Sequence, residues 1–205
     1  MAFRKYLGTA VVAFACAVIL GIPVTAQTGG AKVAAICDVG SLKFTCPEDF
    51  SKLPNLDDST SLFKFQYRDT VVYFFVSVPS GGFDDTAMAN AIGRYYASAA
   101  PFRWKKPKDP LTMTMKTQHE RKLSSLVGFD GTSLISFRSS EFKVDNRNVV
   151  FGYVWDDKAG NKQDKFKKGE GFEDQGIGCN AVASTLNSIT REFPQARQYC
   201  FQSMN

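Results

Sequence analysis

The chain has 205 residues and a formal net charge of +5, with 44% hydrophobic residues and 18 phenylalanines. That length suits one domain with room for a substantial core. The mild positive balance lies far below that of a dedicated nucleic-acid binder, while permitting contact with an acidic surface.

At the start of the chain, Arg4 and Lys5 precede an apolar run from Leu7 to Ile22, and Val24-Thr25-Ala26 closes it. This order of charge, apolar run and small residues predicts a secretory signal over residues 1–26, cleaved before Gln27. An uncleaved anchor is the alternative, because the run approaches the ~17 residues a bilayer needs. Pro23 breaks the run and favours cleavage. Cys16 sits mid-run with Ala13 three residues before it, which argues against lipidation. Cleavage of the first 26 residues leaves 179, lowers the net charge from +5 to +3, and leaves no membrane span. The mature chain is then secreted or periplasmic, in a compartment where thiols oxidise.

Four cysteines remain: Cys37, Cys46, Cys179 and Cys200. An even number in an exported chain predicts two disulfides. Local pairing of Cys37 with Cys46 and of Cys179 with Cys200 stands against two crossed arrangements that tie the C-terminal tail to the first strand. No pair has the two-to-four-residue spacing of a zinc site, so no metal is expected there.

Residues 27–40 read as a flexible leader and 41–205 as a single domain. Leu42, Phe44 and Cys46 alternate with polar neighbours until Pro47, which predicts a strand. Phe63, Phe65 and Tyr67 alternate likewise, Arg68-Asp69 offers a turn, and Thr70 to Val78 is a nearly continuous apolar strand expected inside the sheet. Asp84 or Asp85 caps a helix whose stripe of Met88, Ala91, Ile92, Tyr95 and Ala99 faces the core until Pro101. A Pro-stiffened loop then holds Arg103, Trp104, Lys105, Lys106 and Lys108. Thr112 to Trp155 reads as an antiparallel meander, turning at Gly128-Phe129-Asp130-Gly131 and again at Asp145-Asn146-Arg147-Asn148. Asp156 to Gln175 is charged and poor in apolar residues, which predicts an exposed loop. A last helix presents Val182, Leu186, Ile189 and Phe193 on one face and stops at Pro194.

This order predicts an α+β domain, an antiparallel sheet covered by helices. A strand ending in Cys46-Pro47-Glu48-Asp49-Phe50, two aromatic strands, a helix, a three-strand meander and a closing amphipathic helix together resemble the PsbP-like superfamily. That group includes the extrinsic photosystem II protein and the DcrB-like envelope proteins. The resemblance spans roughly residues 41 to 193 and implies an α/β/α sandwich used as an accessory or assembly module.

Catalytic signals are sparse. His119 is the one histidine, its neighbours are polar, and no Gly-x-Ser-x-Gly elbow accompanies it. The acid pairs Asp57-Asp58, Asp84-Asp85 and Asp156-Asp157 suit turns and caps better than paired catalytic carboxylates, because adjacent strand residues point oppositely. The segment from Asp156 to Asp164 lacks the spacing of a calcium loop. Gly176-Ile177-Gly178-Cys179-Asn180-Ala181 fits the dinucleotide fingerprint but follows a charged segment with too little chain for a βαβ unit, so helix capping explains its glycines and no cofactor is expected. The expected function is that of a non-enzymatic exported accessory or binding domain. Its contact site is the loop of Arg103, Trp104, Lys105, Lys106 and Lys108, where a Trp beside cations offers contact area and charge to a protein partner in the envelope or outside the cell; the alternative is a solvated basic loop with Trp104 folded back onto the domain. A small-ligand carrier with an aromatic-lined pocket between helix and sheet is the alternative, followed by a secreted hydrolase.

Overall fold

The computed structural model describes residues 35–67, 69–96, 101–108, 120–158, 160–170 and 177–190. The first element lies inside the stretch expected as leader. Strand β1 (Ile36–Val39) turns at Gly40, whose φ of +55° suits a residue without a side chain, and pairs with β2 (Leu42–Thr45). Alternation puts Cys37, Val39, Leu42 and Phe44 on one buried face of this hairpin. A Cys37–Cys46 disulfide closes it, with Cα atoms 5.1 Å apart. The other expected pair, Cys179 with Cys200, falls outside the described residues.

The main sheet is built from β3 (Ser51–Lys52), β4 (Thr60–Tyr67) and β5 (Thr70–Ser77), then, after helix α1 (Asp85–Gly93), from β6 (Arg103–Lys105), β7 (Glu120–Phe129), β8 (Leu134–Val144) and β9 (Arg147–Asp157). Helices α2 (Lys162–Lys168) and α3 (Ile177–Thr190) follow. Seven strands pair antiparallel in the order β3-β4-β5-β9-β8-β7-β6. The interior strands β5 and β9 are apolar on both faces because both faces are covered. On one face Phe63, Phe74, Phe151, Tyr153 and Trp155 meet the β1–β2 hairpin and Ala181, Val182 and Leu186 of α3. On the other, Leu62, Phe75, Phe137, Val150 and Val154 meet Ala89 and Ile92 of α1.

The expected α+β fold, an α/β/α sandwich, is therefore corrected. The molecule is mostly β, with three helices of 9, 7 and 14 residues among the described residues and a β-hairpin sharing one face with α3. Ser41 to Cys46 does not join the main sheet, because the ladder of Leu42–Thr45 pairs with Ile36–Val39 instead. The helix expected to reach Pro101 ends at Gly93, where tighter turns take over, with Tyr95 and Tyr96 N–H donating to the carbonyls of Ile92 and Gly93. Asp84 is the cap: its Oδ1 accepts from Thr86 and Ala87 N–H at 2.9 and 3.0 Å.

Two further expectations change. Gly128 and Phe129 are strand residues rather than turn residues. The turn begins at Asp130, whose Oδ1 accepts from Thr132 and Ser133 N–H. Gly178 is not a cap but lies inside α3, where an added Cβ would come within 2.1 Å of the Tyr153 ring. Only glycine lets the helix approach the sheet so closely.

Candidate functional site

Strand β6 decides what the expected contact loop can do. Its three residues alternate, so Trp104 opposes Gly128 on the α1 face of the sheet while Arg103 and Lys105 oppose Phe129 and Val127 on the other face. Trp104 is folded back onto the domain. An added Cβ at Gly128 would lie 2.7 Å from its ring, Phe102 lies 5.6 Å away between centroids, and its Nε1–H donates to Asn90 Oδ1 of α1 at 2.7 Å. The indole thus locks the edge strand to the helix and is not a projecting anchor.

Arg103 and Lys105 meet a segment just over sixty residues away. The Arg103 guanidinium lies over the rings of Phe129 and Phe166, at 5.8 and 5.6 Å, and Lys105 Nζ lies 4.8 Å from the Phe166 centroid. Phe166 is the one aromatic of α2 and stacks on Phe129 at 5.5 Å. Lys105 Nζ also donates to the Lys167 carbonyl at 2.7 Å, and Lys108 N–H donates to the Gly169 carbonyl at 2.9 Å. Helix α2 starts at Asn161, whose Oδ1 accepts from Asp164 N–H, and stops at Gly169 in the left-handed conformation with φ of +70°.

The result is a cationic ridge from two segments. Arg103, Lys106 and Lys108 are exposed on one side, and Lys167 and Lys168 on the other. Lysines in the last turn of α2 also sit favourably against the partial negative charge of the helix end. Among the described residues, the nearby exposed acids are Glu170, 3.9 Å from Lys168, and Asp164, which accepts from Asn161 Nδ2 at 2.9 Å. Lys165 is drawn inward to Asp157 at 2.7 Å. Lys167 and Lys168 were missed in the sequence, although Asn161 before a Lys-rich heptad and Gly169 after it carry the signature of a capped helix.

The segment from Asp156 to Gln175 is thus not an exposed loop throughout. Asp156 and Asp157 are buried at the end of β9 and point to opposite faces. Asp156 Oδ1 accepts from Val71 N–H at 2.9 Å and its other oxygen pairs with Lys158, while Asp157 takes Lys165. These carboxylates do not converge with Asp164 on a cation. Of the other acid pairs, Asp57 Oδ1 accepts from the N–H and hydroxyl of Ser59, and Asp85 accepts from Ser139 Oγ at 2.5 Å. No three His, Cys, Asp or Glu side chains gather to hold a metal among the described residues. His119 lies outside them. No family model matches the chain, and no curated protein matches it either.

Proposed function

We propose that the protein is an exported, non-enzymatic accessory domain that docks an acidic protein surface through the ridge of β6 and α2. The observation that supports this reading is that the segment of exposed Arg103, Lys106 and Lys108 packs against the one that carries exposed Lys167 and Lys168, through backbone and ring contacts. Prepaid ordering of this kind lowers the cost of binding, and a one-sign surface speeds the encounter with an opposite one. Export rests on the signal-like residues 1–26 together with the Cys37–Cys46 disulfide, a bond that persists in oxidising compartments. The role differs from the one expected of Trp104: cations make the contact, and the indole holds their strand.

The test uses poly-L-glutamate as a model acidic partner. Lys106→Glu with Lys108→Glu should weaken its binding about tenfold and flatten its salt dependence. Lys43→Glu with Lys143→Glu, the same change in net charge at exposed positions away from the ridge, should cost far less. Equal losses in the two double variants would show attraction to overall charge and remove the ridge from the account.

A further inference from the structure

We infer that the groove alongside α1 binds a short peptide of four or five residues with free termini, lying along the helix with its carboxylate at Arg94 and its ammonium at Asp84 and Asp57. The groove occupies about 590 Å³ on the face of the sheet opposite the cationic ridge. That volume is within the range of natural small-ligand sites.

One wall is a stripe of α1 and the turn after it. Ala87, Met88, Ala91 and Tyr95 recur at helical spacing and face the groove, and Tyr95 remains 45% exposed, whereas the other aromatics whose burial is described are buried or half-buried. Leu56 and Phe83 face them from the other side. Between them, Thr60 Oγ1 and Ser77 Oγ bond each other at 3.0 Å, so the floor has already satisfied much of its own polarity and accepts an apolar body.

The two ends carry opposite charge. Arg94 makes no ion pair with any described residue, so its five donors are available to a planar anion such as a carboxylate. Ten positions earlier, roughly 15 Å along the helix axis, Asp84 spends Oδ1 on the helix N–H groups and leaves Oδ2 to the groove. Asp57 does the same, with Oδ1 committed to Ser59. A fatty acid would satisfy Arg94 and leave the acidic end unmatched, and a cationic amphiphile would do the reverse. An extended chain advances about 3.3 to 3.6 Å per residue, so four or five residues place a terminal ammonium and a terminal carboxylate at the two charged ends.

Isothermal titration calorimetry of the full chain with Leu-Ala-Leu-Ala, its N-acetylated form and its C-terminal amide tests this. The free peptide should bind, and blocking either end should weaken it about tenfold, the worth of one charge-assisted pair. Arg94→Gln should weaken the free peptide by a like factor and make the amide bind as well as the acid. Asp84→Asn, which keeps a good helix cap, should reduce the penalty of acetylation, with Asp57 accounting for what remains. Ala91→Trp should fill the groove and remove binding without lowering the midpoint of thermal unfolding. Failure of the free peptide to bind, equal binding of the doubly blocked peptide, or tighter binding of decanoate or decylamine than of the peptide would each overturn the proposal.

Discussion

Tyr96 joins three elements through one hydroxyl. From the turn after α1 it reaches the carbonyls of Val154 at 2.7 Å and Val71 at 2.9 Å, beside the strand residues that Asp156 also holds through Val71 N–H. Its ring packs edge-on against Tyr73 with centroids 4.9 Å apart. Burial first, then the negative charge of Asp156 and the neighbouring Tyr73, push its pKa well above the ordinary value of 10.0. The folded state therefore keeps this proton at a pH where the unfolded chain has released it. Stability from this group is fully present below about pH 10 and is lost as pH rises through the folded pKa, at up to about 1.4 kcal/mol per pH unit. Tyr73, raised mainly by burial as well, adds to the same slope. Tyr96→Phe should cost about 1 kcal/mol at pH 7, for the lost hydrogen bond, and make urea-measured stability fall less steeply above pH 10. A slope as steep as that of the parent would assign the alkaline sensitivity to other groups.

At the level of elements, the tight turns separate what local sequence can specify from what it cannot. Val144 pairs with Arg147, which leaves Asp145 and Asn146 as a two-residue hairpin loop with φ of +46° and +62°. Positive φ at both central positions is the mirror-image turn that matches strand twist, and Asn-Gly and Asp-Gly are its favoured pairs. Asn146→Gly should thus stabilise the protein by ~0.5 kcal/mol in chemical denaturation, with β8 and β9 unchanged. Loss of stability would mean that the entropy of glycine outweighs the relieved backbone.

The same local logic made the β4–β5 hairpin, the Asp84 cap and the Val182–Leu186 face of α3 legible in the sequence. Each is set by residues within a few positions of one another. The elements that escaped depend on distant partners. Helix α2 packs a single half-buried aromatic, Phe166, against the sheet, so it has no apolar periodicity to read, and its reason to exist is Phe129 some forty residues earlier. Asp156 and Asp157 look like loop residues until Lys158, Lys165 and Val71 are placed around them. Of the candidate site, the positive charge was legible, while the sequence left open whether Trp104 projects or folds back. Gly128 and Asn90 decide it, and neither is near it in sequence.

Across the whole molecule, the two faces of the sheet are closed by different means, and one closure is weaker. The β1–β2 hairpin forms its own two-stranded sheet and adds no ladder hydrogen bonds to the seven strands. It is held by packing of Phe44 on Phe63, with centroids 6.1 Å apart, and by side-chain links: Thr45 N–H to Ser188 Oγ at 3.0 Å, Ser61 Oγ to the Asp38 carbonyl at 2.8 Å, and Arg147 to Ser41 Oγ at 2.6 Å. An isolated two-stranded hairpin is marginal in water, so the Cys37–Cys46 bond, which closes a short loop, should contribute about 2 to 3 kcal/mol by restricting the unfolded chain. Because Ser188 belongs to α3, loosening the hairpin also loosens that helix and exposes the aromatic face beneath both. Replacing Cys37 and Cys46 together by Ser should lower stability by that amount. In hydrogen exchange, amides of β1, β2 and α3 should lose protection first, while β5 and β9, paired on both sides, exchange only with global unfolding. Uniform acceleration across the sheet would show instead that hairpin, helix and sheet open as one unit, with the disulfide stabilising all of it equally.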